Sequence, residues 1–269
     1  MGAETLLRVD NLHRYFRGIH AVNDASFKVD RGDIVGLVGP NGSGKTTVFN
    51  LITGFLSADA GTIEFQGESI RGLVPHRIAR RGLCRTFQGS RSPETMTVME
   101  NMLLARQNQT GESIVAAALQ PGRVRAEEEQ ALARARELLE VVQLGHMGDE
   151  LVGSLSGGQK KLLSMAQVLM AEPDLVLLDE PVAGVNRRLI DDIVGAILRL
   201  RDEGYASFLV VEHNMNVVRR LCDHVHVLDA GRVIAAGPPV DTLRRDEVLR
   251  AYLGGSHHAE APGETAETE

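Results

Sequence analysis

The run Gly39-Pro40-Asn41-Gly42-Ser43-Gly44-Lys45-Thr46 fits the spacing G-x-x-x-x-G-K-[ST], which wraps nucleotide phosphates. Gly42 and Gly44 let the backbone curl until consecutive N–H groups point inward at phosphate oxygens. Lys45 brings a positive charge to the β and γ phosphates, Thr46 offers a hydroxyl to Mg²⁺, and Thr47 lies beside it. The loop predicts a site for ATP or GTP. Residues 34–38, Ile-Val-Gly-Leu-Val, read as a short buried strand, and residues 46–53, with Gly54 behind them, read as a helix and its stop. Strand, loop and helix follow in the order that seats phosphates on a helix N-terminus.

Three further groups could act on a bound nucleotide. Ser156-Gly157-Gly158-Gln159 stands directly before a helical run containing Leu162, Leu163, Met165, Ala166, Val168 and Leu169. Its hydroxyl and glycine N–H groups would make a second phosphate nest, although Ser156 also fits an ordinary helix N-cap. Asp179-Glu180 closes the apolar run 175–178. Alternation along a strand sends neighbouring side chains to different sides, so Asp179 can hold Mg²⁺ while Glu180 serves as base toward an attacking water. Taken alone, the pair could equally be acidic residues capping a strand. Val211-Glu212-His213 ends the next strand and brings an imidazole to the same edge.

These groups need a scaffold. Residues 6–9, 25–29 and 62–66 are β-rich and separated by Asp/Gly turns, which predicts an antiparallel piece near the first nucleotide contacts. Residues 175–178 and 208–211 are nearly unbroken apolar runs, as parallel strands covered by helices on both faces require. A helical pattern over 189–200 joins them into a βαβ unit. The fold class is therefore α/β. From Gln88 to Leu155 the pattern turns helical: Leu132, Ala135, Leu139 and Val142 share one face of a helix over 127–143. Residues 107–112 and Pro121-Gly122 are expected loops within this lobe. The tail 254–269, His257-His258 included, has almost nothing to bury and is expected to be disordered and solvated rather than metal-binding.

The chain has 269 residues, 43% hydrophobic and 24% charged, which suits one globular domain with lobes. Its longest apolar runs, such as 114–119, fall far short of the roughly 18 residues of a membrane span. Glu4 and Asp10 near the N-terminus do not suit a secretory signal, so a cytosolic location is expected. Cys84 and Cys222 are too few for a disulfide framework and lack metal-binding spacing. A formal charge of −7 argues against nucleic acid as the main partner. Arg71, Arg77, Arg80, Arg81, Arg85 and Arg91 crowd one stretch and are read as a solvated helix face.

Taken in order, residues 39–46, Thr86-Phe87-Gln88, 155–159, 175–180 and His213 resemble the ATP-binding subunits of ABC transporters, over about residues 6–253. The resemblance implies a P-loop NTPase with a RecA-like core (1–88 and 156–240), an antiparallel β subdomain, an inserted helical subdomain (89–155) and a C-terminal helical end (241–253). It implies an ATPase using ATP and Mg²⁺. By it, Gln88 senses Mg²⁺, Ser156, Gly157, Gly158 and Gln159 face the γ phosphate held by an opposite subunit, and His213 is a switch histidine. Phe16, with Tyr15 in reserve, would stack on adenine beside Val22.

Ala21-Val22-Asn23, Met96-Thr97-Val98 with Glu100-Asn101, Glu212-His213-Asn214-Met215 and the ending 249–254 look like the subfamily serving branched-chain (hydrophobic) amino acid importers. That implies permease partners, a second ATPase subunit, identical or paralogous, and a place on the inner face of the cell membrane. Residues 88–100 would dock the permease, with Glu100 in the contact. A lipid export ATPase and a soluble ABC-type ATPase acting on nucleic acid are the alternatives. Arg187 stands where the family usually has Pro, which frees an N–H and loosens the loop expected at the dimer interface.

Overall fold

The computed structural model describes residues 4–86, 92–107 and 120–254. Among these residues, ten strands form two sheets, one four-stranded in the order β2-β1-β4-β5 and one six-stranded in the order β10-β9-β3-β8-β7-β6. The larger sheet contains β3 (Ile34–Val38), β6 (Leu83–Arg85), β7 (Leu175–Asp179), β8 (Ser207–Val211), β9 (His224–Asp229) and β10 (Arg232–Gly237). All its pairings are parallel except β9 with β10. The ends of β3, β6, β7 and β8 therefore meet along one carboxyl edge, where open α/β sheets place ligands.

Alternating residues of these strands enter two different cores. Ile34, Val38, Val176, Leu178, Phe208 and Val210 join one cluster. It also holds residues of α3 (Val98–Leu104), α4 (Pro121–Val141), α5 (Gly157–Leu169), α6 (Arg187–Asp202) and α7 (Met215–Leu221). Val35, Leu37, Leu175, Leu177, Leu209 and Val211 join the other, with α1 (Lys45–Ile52), Ile78 of α2 (Pro75–Ala79) and the smaller sheet. The parallel sheet carries helices on both faces, as expected, but on one face α1 and α2 share the cover with a second sheet. The pleat explains this: each strand is apolar on both sides, so whatever covers it need only be apolar.

The smaller sheet is more extensive than its sequence signals. β1 (Thr5–Phe16) and β2 (Ile19–Asp30) pair antiparallel over nearly their full length, joined by a two-residue turn at Arg17-Gly18 with positive φ at both positions. Asn11 and Asp24 adopt left-handed backbone, and register shifts follow Val9, Leu12 and Arg14. Each irregularity flips the alternation, so a period-two search finds only the regular fragments 6–9 and 25–29. β4 (Ala60–Phe65) and the short β5 (Glu68–Ser69) complete this sheet.

In the helical lobe, α4 starts six residues before the expected helix. Pro121 takes a first-turn position, where its missing N–H costs nothing, so Pro121-Gly122 opens a helix instead of forming a loop. Ala131, Ala135, Leu138 and Leu139 form the buried face, with Leu132 half-buried at its edge. Thr97 and Glu100 close a capping box at the start of α3. Two C-terminal helices follow, α8 (Pro239–Thr242) and α9 (Asp246–Gly254). Gly254, expected to begin the tail, is the last residue of α9, and residues 255–269 lie outside the described residues, as do most of the expected loop 107–112 and the apolar run 114–119. No helix among the described residues is long and apolar enough to cross a membrane.

Candidate nucleotide-binding and catalytic site

The glycine-rich loop leaves the end of β3 and enters α1. A Cβ on Gly39 would stand 2.0 Å from the Leu228 carbonyl oxygen, and one on Gly44 would stand 2.3 Å from that of Ala21. Both residues also have positive φ, so only glycine lets the loop nest between β2 and the end of β9. Lys45 folds back into the loop: its Nζ donates to the carbonyls of Gly39 and Pro40, each at 2.8 Å, and to Ser43 Oγ at 3.4 Å. Burial pushes this ammonium below its ordinary pKa, opposed by the carboxylates of Glu180 and Asp179. A buried cation among carbonyl oxygens is poised to exchange them for phosphate oxygens. No acidic residue occupies the first turn of α1, so its N-terminal dipole is not neutralised by its own side chains. Asn41, Gly42 and Thr46 are exposed, Pro40 and Thr47 half-buried, and Ser43 buried.

Asp179 and Glu180 part company at the end of β7. The strand pleat puts Leu175 and Leu177 on the α1 face, and Asp179 follows them there, where Arg85 Nη2 donates to its Oδ2 at 2.6 Å. Glu180 turns away because the chain enters a left-handed conformation at this residue, φ 47°, with its N–H donating to the Val211 carbonyl. The separation expected from the pleat is thus completed by a strained turn, which costs about 1–3 kcal/mol and persists only where the surroundings enforce it. Glu180 Oε1 lies 3.7 Å from His213 Nδ1. The carboxylate after β7 and the imidazole after β8 therefore share the carboxyl edge with Lys45.

Glu212 holds this pair of turns in place. It is 1% exposed; its Oε1 accepts from the Val182 N–H at 3.2 Å, and its Oε2 accepts from the N–H groups of His213 and Asn214 at 3.0 and 3.1 Å. Lys161 of α5 adds a second clamp, its Nζ donating to the carbonyls of Ala183 at 2.5 Å and Glu180 at 3.4 Å. Burial also lowers the pKa of this ammonium.

Ser156 caps α5. Its hydroxyl accepts from the Gln159 N–H, and the Gln159 side chain accepts from the Ser156 N–H. The two neighbouring glycines differ. A Cβ on Gly158 would press to 2.5 Å on the Leu189 side chain, whereas one on Gly157 would meet nothing within 4 Å. Packing within the chain accounts for Gly158 and leaves Gly157 unexplained.

Phe16 and Tyr15 are both part-exposed at the β1–β2 hairpin. The Arg14 guanidinium lies 4.7 Å from the Phe16 ring centroid, held by Asp59 at 3.1 Å and the Ser57 carbonyl at 3.0 Å. Tyr15 is engaged elsewhere, edge-on to His20 and hydrogen-bonded to His13 Nδ1. Val22 departs from expectation. It is fully buried in the core of the smaller sheet, because that face of β2 turns inward, and it presents no surface to a base. Gln88 lies outside the described residues.

The sequence profile described as "ABC transporter" matches residues 22–183. The chain belongs to the ABC transporter family. Among its relatives, the probable branched-chain amino acid transport ATP-binding protein LivG of Archaeoglobus fulgidus is 40% identical, over 93% of this chain and 95% of that protein. The high-affinity branched-chain amino acid transport ATP-binding protein BraF of Pseudomonas aeruginosa is 38% identical, over 93% and 98%. In structure, the ADP conformation of MJ1267, an ATP-binding cassette of an ABC transporter, superposes with a TM-score of 0.79 at 35% identity, covering 93% of this chain and 99% of that one. This cassette binds ATP and is an ATPase, and ATP-binding subunits of its family dimerise and partner with membrane permeases.

Within the ABC cassette, three residues escaped the sequence reading: Arg85, Lys161 and Glu212 in its clamping role. Composition groups Arg85 with a solvated arginine face. Arg71 and Arg81 of that group do lie on the surface, hydrogen-bonded to backbone carbonyls, but Arg85 is nearly buried at a strand end. Continuing the period-two alternation forward along β6 from Leu83 places Arg85 on the α1 face. Glu100 is exposed and also caps α3, its Oε2 accepting from the Thr97 N–H.

Proposed function

We propose that this chain is the ATP-hydrolysing subunit of an importer for branched-chain amino acids or related small solutes, working as a dimer with a copy of itself or a paralogue. The names of its relatives support the cargo class and favour amino acid transport over lipid export. In this reading Lys45, the loop amides and the start of α1 bind the phosphates, and Phe16 stacks on adenine with its opposite face covered by Arg14. Thr46 and Asp179 are suited to Mg²⁺, which takes few protein oxygens beside those of phosphate. Gln88 would join them. When bound, that ion neutralises charge on the transferring phosphoryl group. Glu180 orients the attacking water and accepts its proton, and His213 hydrogen-bonds at the γ-phosphate side.

The observation that carries the shared-site part is the contrast at the start of α5: among the described residues the Ser156 and Gln159 side chains bond only to each other's backbone, and Gly157 faces open space. A helix N-terminus with a bare backbone suits a phosphate presented by another subunit. The permease would dock in a groove of about 510 Å³ between the sheet and the helical lobe, lined by the exposed Phe55 and Leu104 and by Arg85 and Gln167. In this reading the protein works on the cytoplasmic face of the membrane. Reversing Glu100 would break a helix cap, so Phe55→Asp is the cleaner probe of docking; transport lost with hydrolysis by the isolated subunit retained is the expected outcome.

Glu180→Gln keeps the size of the base but cannot take a proton, so turnover should fall by roughly 10²- to 10⁴-fold with ATP affinity preserved. Size-exclusion chromatography with ATP and Mg²⁺, and with the cognate paralogue if needed, should then show a stalled dimer. Adding Ser156→Arg should abolish it. A Glu180→Gln protein that stays monomeric under all these conditions would sink the shared site.

A further inference from the structure

Arg85 ends β6 on the α1 face of the sheet, and its guanidinium joins two elements. Nη2 donates to Asp179 Oδ2 at 2.6 Å, and Nη1 donates to Asn50 Oδ1 at 2.7 Å. Its central carbon lies 5.6 Å from the Phe49 ring centroid. Both members of the ion pair are nearly buried, at 11% and 12% side-chain exposure. Such a pair is weak evidence of stability, because well-packed apolar residues often do as well in its place. It does fix direction.

Asn50 stands four residues after Thr46 on α1, so the two share a helix face. The chain Thr46, Asn50, Arg85, Asp179 thus ties the end of β7 to the helix that carries the hydroxyl. Arg85 takes one carboxylate oxygen of Asp179, and the other has no hydrogen-bond partner among the described residues. A planar fork holds Asn50 and Asp179 on two arms fixed in direction, whereas a lysine ammonium, though it carries three donors, is a point charge on a flexible stem and sets no such geometry.

We propose that Arg85 is a positioning residue for the Mg²⁺ site, setting Asp179 at a fixed separation from Thr46 through Asn50. This rests on the reading of Thr46 and Asp179 as the metal-holding pair. Partners of metal ligands typically carry 10- to 100-fold in metal affinity or activity. The same side chain lines the permease groove, so an occupant of that groove would touch the group that aims the metal carboxylate.

The decisive variant is Arg85→Lys, which keeps the positive charge beside Asp179 and removes only the fork. ATP hydrolysis by the full-length protein, titrated with MgCl₂ at saturating ATP, should show a half-saturating Mg²⁺ concentration raised roughly 10-fold, with a smaller change in kcat at saturating Mg²⁺. Asn50→Ala, which leaves the ion pair intact and frees the other arm, should move the Mg²⁺ requirement the same way by about 3-fold. A purely structural role would instead lower the melting temperature without changing the Mg²⁺ requirement. Parent-like Mg²⁺ titrations in both variants overturn the proposal, and Asn50→Ala alone decides it if Arg85→Lys does not fold. An Asp179→Asn protein with parent-like Mg²⁺ dependence would remove the metal-pair reading itself, and a shifted Asp179→Asn beside unshifted Arg85→Lys and Asn50→Ala would remove only the role of Arg85.

Discussion

Along the carboxyl edge of the parallel sheet, polar side chains are answered from within the chain: Lys45 by loop carbonyls, Asp179 by Arg85, and Glu212 by three backbone amides. At the start of α5, among the described residues, Ser156 and Gln159 close only on each other, and Gly157 faces open space. Both regions put a glycine-bearing turn at a helix N-terminus and so share the same anion-binding physics. They differ in what surrounds them. The first is a preorganised pocket edge with charges buried and paired; the second is a surface that completes nothing in its own subunit. On the shared-site reading proposed above, such a division would make hydrolysis conditional on assembly.

Substitutions should separate the two regions. The largest effect is expected at Lys45→Ala, which removes the only cation inside the loop: steady-state hydrolysis should fall roughly 10³-fold. Parent-level turnover in that variant would end the assignment of the phosphate site to the first region.

Glu212→Gln comes next. An amide presents one acceptor where the carboxylate presents two, so at least one of the three N–H groups is left unpaired, at a cost of about 1–3 kcal/mol. Turnover should drop on the order of 10-fold with the KM for ATP little changed, because the bond network spans the turns that carry Glu180 and His213 rather than the phosphate loop. If KM rose and kcat held, the clamp would belong to binding and not to the catalytic turns.

Phe16→Ala should raise the KM for ATP by roughly 5- to 50-fold and that for GTP similarly, since stacking uses a face that every base has. A Tyr15→Ala protein with the larger effect would exchange the two roles.

The smallest effects, and the most discriminating, concern the adjacent glycines. Gly158→Ala should lower the subunit's own stability by about 1–2 kcal/mol through its collision with Leu189. Gly157→Ala should change it by less than about 1 kcal/mol, the scale of helix propensity, yet weaken the ATP-dependent dimer of the Glu180→Gln background. Thermal unfolding and size-exclusion chromatography on the same pair of variants read both quantities. The contrast between the two regions breaks if Gly157→Ala assembles as well as the parent.

What was legible in the sequence was local. The loop 39–46 announced itself because the left-handed turn demands glycine at particular positions, and the strands at 34–38, 175–178 and 208–211 because burial on both faces leaves an unbroken apolar run. The βαβ unit, the cap at Ser156 and the placing of Asp179, Glu180 and His213 at strand ends follow from the same short-range rules. Where the chain is irregular, those rules fell short: bulges hid most of β1 and β2, and Pro121-Gly122 opened a helix that its dipeptide signals as a turn.

Only the tertiary structure decided which distant groups meet. Arg85 and Asp179 are 94 residues apart and become neighbours because β6 and β7 pair in parallel register; Glu212 reaches the Val182 amide across 30 residues because β7 and β8 do the same. Composition marks Arg85 as one arginine among several, and only register tells that it is nearly buried against a carboxylate. The buried face of Val22, the cover of Phe16 by Arg14 and the clamp of Lys161 on the Glu180 turn have the same origin. Sequence spacing fixes which residues share a strand or a helix face; the partner each one finds depends on how sheets and helices stack, and that is set by burial summed over the whole chain.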